Sequence, residues 1–450
     1  MNRPLNREIL RLALPSILAN LTIPLVGMVD TGVAGHLTGG DAAAFIGAIS
    51  VGAMLFNLLY WNFFFLRTGT GGLTAQAFGR GDFRECARIF WRGIFLALAI
   101  ALVTLLFQWP FVELTLFVVK GSPEVESLAA EYFFARVWAA PATLCLMTFS
   151  GWFVGMQDSV SSMWKDLVVN TVNIAASIVL AFGIGDWEGM GFVGIAWGTV
   201  IAQYSGLLYC ILVRNIKYGR KVFSLFTWSD IGGLLRKSEL REYFRLNLNL
   251  LGRSVCFTVI YMGYTMLAAR YGDVMLSCSA LMMQLLMIFS YFTDGFAYAG
   301  EALTGRFIGE GNREMVRSTV KYVFVWSMAI AVAFIGVYQV GGVPLLRLLT
   351  SDSALVDSCR VFLPWLLLMP PIGCAAFTWD GIYLGATAAK PIFRAMLGAT
   401  AVFALVCAFS VLVLESEGEL AIHMLLAAYF FHLIYRTVYL GVKRKAVLNF

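Results

Sequence analysis

The stretch TIPLVGMVDTGVAGHL, residues 22–37, holds one carboxylate, Asp30, inside an apolar run that begins near Leu10. An acid there has two uses: it can take up and release a proton or a cation, or it can pair with a buried arginine and tie two helices together. A charged carboxylate at the centre of a membrane helix costs about 2.5–3.5 kcal/mol. Removal from water favours the neutral form of a carboxyl, which brings proton uptake and release towards the physiological range. Pro15 and Pro24 lie in the same run and leave backbone carbonyls free, so the run can bend. Asp30 is the leading candidate for a coupling residue.

The other polar residues inside apolar runs are Arg67, Arg136, Arg253, Asp294, Glu301 and Asp380, with Asn57, Asn62, Asn170, Asn173, Gln203 and Gln284. Asp294 and Asp380 can bind a second cation or pair with Arg253. Arg67 can snorkel to the interface or neutralise an acid. Glu301 and Arg306, near the end of an apolar run, are read as solvated. Two runs rich in aromatic residues and methionine, NLLYWNFFFLR and ALMMQLLMIFSYF, contain Trp61, Met283 and Met287. Such runs face lipid or fill a core; if one face lines a cavity, it suits lipophilic or cationic molecules.

Signatures of other chemistry are missing from the sequence. No GxxxxGK[ST] stretch occurs, and His36, His423 and His432 have no metal-ligand spacing. The eight cysteines never form CxxC and sit mostly in apolar runs, so they read as small apolar residues without a disulfide framework or zinc site.

These residues must be positioned by a membrane scaffold. Of 450 residues, 60% are hydrophobic and only 13% are charged, and the mean hydropathy is +0.78. Apolar runs long enough to cross a hydrocarbon core of about 30 Å recur along the chain. Twelve transmembrane helices are expected near 8–36, 43–68, 92–117, 128–155, 163–184, 190–213, 243–269, 275–303, 319–342, 356–385, 391–414 and 418–440. The first is read as a retained helix, without a convincing cleavage site. Alternate connections carry only Lys120, Arg270 and Arg347 and are expected to face outward. The remaining connections and both termini hold most of the Lys and Arg, which places them in the cytoplasm. The net charge of +6 is thus a topology signal, and its scatter over alternate loops argues against nucleic-acid binding.

An internal repeat divides the chain. LTAQAFGRGDFRE from Leu73 matches LTGRFIGEGNREM from Leu303, and PATLCLMTFSGWFVG from Pro141 matches PIGCAAFTWDGIYLG from Pro371, both at an offset of 230. Arg11, Met28, Thr31 and Ala34 match Arg245, Met262, Thr265 and Ala268 at an offset of 234. A four-residue difference in the first outer loop reconciles the two offsets. Each half has an even number of helices, so the halves share one orientation and are related by a pseudo-two-fold along the membrane normal. This gives a first lobe over 1–213, a cytoplasmic linker over 214–241 and a second lobe over 242–450. Duplicated bundles of this kind suit a transporter that rocks around a central cavity. The repeat partner of Asp30 is Tyr264, so the acid belongs to one half only.

Several stretches, in order and over nearly the whole chain, resemble the multidrug and toxic compound extrusion (MATE) transporters, in particular their DinF-like branch. They are MVDTGVAGHL, FLRTGTGGLTAQAFGRGD, ARVWAAPATL, GMQDSVSSMWKDLVVNTVNI, GIAWGTVIAQ, DGFAYAGEALTGR and WDGIYLGAT. The resemblance implies two six-helix lobes and cation-driven efflux of organic, often cationic, compounds by alternating access. It makes Asp30 the proton or cation site, assisted by Asn173 and Thr199. Many relatives carry a second carboxylate one turn after that asparagine; here Ser177 stands in its place, and a single carboxylate makes a poorer sodium cage, which leans towards proton coupling.

The expectation is a monomeric proton-coupled, or else sodium-coupled, antiporter of small organic substrates. It would lie in a bacterial-type inner membrane with both termini cytoplasmic and need no cofactor beyond the coupling ion. A lipid-linked precursor flippase or polysaccharide exporter of the same superfamily is the rival, kept open by Arg67, Arg136 and Arg253.

Overall fold

Inside hydrocarbon a backbone must satisfy its own polar groups, so each apolar run folds as a helix. The computed structural model describes residues 3–37, 41–119, 122–226, 237–350 and 352–448. Lys120, much of the linker and the tip of the first outer loop lie outside the described residues. Twelve helices among those described are long and apolar enough to cross a membrane. They are α1 (Arg3–Gly35), α2 (Ala42–Gly79), α3 (Phe83–Leu106), α4 (Pro123–Gly155), α5 (Ser159–Phe182), α6 (Phe192–Tyr218), α7 (Tyr243–Ala269), α8 (Asp273–Gly309), α9 (Arg313–Leu349), α10 (Ser353–Gly385), α11 (Ala389–Leu412) and α12 (Gly418–Val442). No strand occurs among the described residues. The protein is an all-α, multi-pass membrane protein.

The chain forms two units, Leu18–Glu242 and Tyr243–Phe450 with Met1–Ile17. The division falls inside α1, between Pro15 and Pro24. The start of the linker sequence is folded onto the first unit: Phe223 lies 5.1 Å from Phe90 and 5.5 Å from Trp152 between ring centroids, and Arg214 sits 4.0 Å above the Phe223 ring.

The repeat has a physical counterpart in each unit. In the first, α2 and α3 pack on α4, and α5 on α6; in the second, α8 and α9 pack on α10, and α11 on α12. A Cβ on Gly151 would stand 2.0 Å from the Arg67 carbonyl oxygen, and one on Gly381 would stand 2.1 Å from that of Ala297. Both glycines therefore let two helix backbones touch. Gly81 and Gly311, which turn the chain after α2 and α8, have φ of 73° and 71°. Asp82 caps α3 by accepting from Glu85 N–H, and Asn312 caps α9 by accepting from Met315 N–H. Even the strained positions recur: Gln157 and Thr387, which follow α4 and α10, are left-handed non-glycine residues with φ of 61° and 53°.

The halves also differ. α9 runs unbroken for 37 residues, whereas its counterpart stops at Leu106, turns at Phe107 and resumes as a separate helix, Gln108–Val119. α2 is interrupted at Phe63 and Phe64, while α8 is continuous. Each unit has its own apolar core. Phe56 stacks on Phe133 in the first, with centroids 4.8 Å apart. Leu286, Phe289, Phe362, Met369 and Leu433 fill the second.

Candidate functional site

Four elements of the first unit deliver the candidate coupling residues. Asp30 comes from α1, Tyr132 and Arg136 from α4, Asn173 and Ser177 from α5 and Thr199 from α6. α5 and α6 meet closely because α6 carries glycines at 194 and 198, one turn apart. A Cβ on Gly198 would lie 2.6 Å from the Ser177 backbone nitrogen, and one on Gly194 would lie 2.4 Å from the Leu180 oxygen. This contact sets Asn173 and Thr199 side by side, and Asn173 Nδ2 donates to Thr199 Oγ1 at 2.9 Å. The hydroxyls of Ser177 and Thr199 both reach the Ile195 carbonyl at 3.4 Å.

Asp30 is 5% exposed. The Ser177 hydroxyl is within hydrogen-bonding reach of it, and Arg136 acts on it electrostatically. No ion pair within 4.0 Å closes on Asp30 among the described residues. Its Oδ1 has no hydrogen-bond partner, and neither has Asn173 Oδ1. The site thus holds two buried acceptor oxygens that want a donor or a cation. Arg136 is fixed elsewhere: it donates to Tyr132 Oη at 2.8 Å and lies 4.6 Å above the Phe56 ring. Asn170 joins α5 to α1 by donating to Thr22 Oγ1, two residues before Pro24.

The four residues Asp30, Asn173, Ser177 and Thr199 therefore come together, with Asn170 next to them on α5. Tyr132 was not anticipated. Its spacing of four from Arg136, which puts both on one helix face, was the available signal.

The second unit handles its acid differently. Asp380 on α10 accepts through Oδ2 from Arg253 of α7 at 2.7 Å and also from Arg436 of α12. Arg436, 1% exposed, was not singled out from the sequence because α12 as a whole remains apolar enough to read as a span. His432 lies one turn before it, buried against the Tyr429 ring at 4.8 Å. Of the two uses open to Asp380, pairing is the one this geometry displays. Asp294 is half-buried on α8 and acts on Tyr291 and Tyr429. Tyr264, the repeat partner of Asp30, is buried beside Tyr429 at 6.2 Å.

Three expectations change. Glu301 is not solvated: it is 0% exposed, because Gly385 lets α10 approach so closely that a Cβ there would stand 2.2 Å from the Glu301 carbonyl oxygen. Met283 belongs to the buried core of the second unit, and Met287, half-buried, packs against that core. Arg67 is buried in the first unit with its guanidinium 5.5 Å from the Phe64 ring; it does not snorkel. Trp61 is half-buried on α2.

The sequence and the architecture have known counterparts. The MatE family model matches residues 15–182 and 250–410, one stretch in each half. DNA damage-inducible protein F of Escherichia coli K12 is 33% identical over 404 residues, covering 89% of this chain and 85% of that protein. The chain belongs to the MatE family. Two further matches share less sequence. The probable multidrug resistance protein NorM of Thermotoga maritima is 25% identical, covering 79% of this chain and 75% of its own. A multidrug resistance MATE transporter of the MOP superfamily, solved in an outward-facing conformation, superposes with a TM-score of 0.84 at 17% identity, covering 98% of this MatE chain and 96% of its own. That likeness confirms the fold, and the family is one of drug and toxin efflux transporters.

Proposed function

We propose that this MatE protein is an antiporter that expels small organic compounds, cationic or lipophilic, in exchange for protons that bind at Asp30. The observation that carries the reading is the buried Asp30 carboxyl, whose Oδ1 lacks a hydrogen-bond partner, on the same unit as an equally unsatisfied Asn173 Oδ1. A proton on Asp30 supplies the donor that this site lacks. Sodium fits less well, because a single carboxylate among neutral side chains makes a weak cage and the Arg136 guanidinium within electrostatic reach repels a second cation.

Protonation from outside neutralises Asp30, removes its attraction to Arg136 and lets α1 repack near Pro24, which favours substrate release. Deprotonation towards the cytoplasm restores the charge. The protein works as a monomer in an inner or plasma membrane with both termini cytoplasmic, as its loop charges favour.

The test is Asp30→Asn in proteoliposomes with an imposed pH gradient, with and without sodium. Asn keeps the shape but cannot exchange a proton, so proton-driven dye efflux falls to the level of empty vesicles while the melting temperature in detergent holds. Undiminished proton-driven efflux from the variant overturns the proposal. Sodium-driven efflux of equal rate in the wild type, at constant pH, reassigns the ion.

A further inference from the structure

Two cysteines of the second unit meet near the start of their helices. Cys278 lies five residues beyond the first residue of α8 and Cys359 six beyond that of α10, about 8–9 Å down each helix axis. Both helices begin after connections whose low basic content assigns them to the outer side. α8 packs on the opening segment of α10, Ser353–Cys359. Both cysteines are free thiols, fully buried in one apolar core, and each thiol is the leading electrostatic influence on the other.

The repeat supplies an internal control. At the offset of 230, Cys278 and Cys359 correspond to Ala48 and Ala129. These alanines are also fully buried, share one core and lie on α2 and α4, which pack together. A methyl group therefore satisfies both places sterically. The second half has instead set two thiols against each other, and a sulfur pair adds one capability that a methyl pair lacks.

We propose that Cys278 and Cys359 form a disulfide near the outer face of the membrane, stapling α8 to α10 within the second unit. This rests on the orientation given under Proposed function, because disulfides persist on the oxidising side. The oxidant is a protein disulfide of the thioredoxin-like class. One cysteine thiolate attacks it to give a mixed disulfide and releases one thiol of the oxidant. The second cysteine then attacks the mixed disulfide and releases the other. Two protons and two electrons pass to the oxidant, which leaves as a dithiol. Since both sulfurs are buried once the unit is packed, the bond forms while the outer ends of α8 and α10 are still apart. It joins two helices of the same unit.

The experiment uses the full chain. Cells are quenched in acid, the protein is denatured and alkylated without reductant, and its peptides are weighed. The expected result is a linked pair of peptides carrying 278 and 359, which separates into two alkylatable peptides only after reduction. Reductant lowers the wild-type melting temperature by several degrees, whereas the variant C278A/C359A, which copies the alanines of the first half, melts lower from the outset and ignores reductant. Recovery of both cysteines alkylated in the unreduced sample overturns the proposal. In parallel, Glu417→Cys, in the exposed connection before α12, is treated in whole cells with a membrane-impermeant maleimide. Labelling together with free thiols means that the disulfide alone is wrong; no labelling means that the orientation has failed and the disulfide with it.

Discussion

Asp30 and Asp380 are both buried acids, yet only one has its charge neutralised by direct contact. Asp380 Oδ2 is held by two guanidiniums, so Asp380→Asn would leave Arg253 and Arg436 facing each other in a buried place. Removing one partner of a buried ion pair costs about 3–5 kcal/mol. The variant should melt well below wild type in detergent, and replacing all three residues with apolar ones should cost less than Asp380→Asn alone. Asp158 behaves differently because it sits before α5, outside the spans. Burial alone would push its carboxyl up, but hydrogen bonds from Lys217, Ser161 and Tyr218, three of them at 2.6 Å, overcome this and hold it below the usual carboxylate range. A depressed folded value means that the stabilisation is complete above the unfolded value, about 4, and is lost as pH falls through the folded one. Asp158→Asn should therefore destabilise by about 1–2 kcal/mol at pH 7, and the two melting curves should converge in strong acid. Persistence of the gap in acid would show that the carboxylate charge is not the cause.

At the scale of elements, membrane physics made the spans readable: a run of about 20 apolar residues has few alternatives to a helix. The interruptions at Phe63–Phe64 and Phe107 were not readable, since the residues at each break are themselves apolar and a single amide, Asn62 or Gln108, beside them does not end an apolar run. Burial of Glu301 was hidden for another reason. It depends on Gly385, 84 positions away, and only the assembled α8–α10 contact reveals it. Arg436 was lost because one charge in α12 barely moves a window average. The site residues of α5 and α6 were legible through family resemblance rather than spacing, whereas Asp30 stood out by chemistry alone. The α8–α10 contact also makes a prediction. Gly381→Ala puts a methyl group against the backbone of Ala297, so the helices must part, at a cost of about 1–3 kcal/mol. Gly151→Ala should do the same to α2 and α4, and an unchanged melting temperature in both variants would mean that these backbones do not touch.

For the whole molecule, each unit has its own core, and the chain passes from one unit to the other at Ile17–Leu18 and again at Glu242–Tyr243. Fragments 1–226 and 237–450, co-expressed, should recover dye efflux in a pump-deficient strain, while neither should act alone. Failure of two well-inserted fragments to complement would show that covalent continuity is itself required. The paired left-handed residues Gln157 and Thr387 have a further meaning. A non-glycine side chain in that conformation costs about 1 kcal/mol or more, and glycine at either place would relieve it. Both copies keep the costly residue, while only one keeps an acid at the place of Asp30. The helix-ending turn is thus common property of the two sister halves, whereas the acid at position 30 is the possession of one of them.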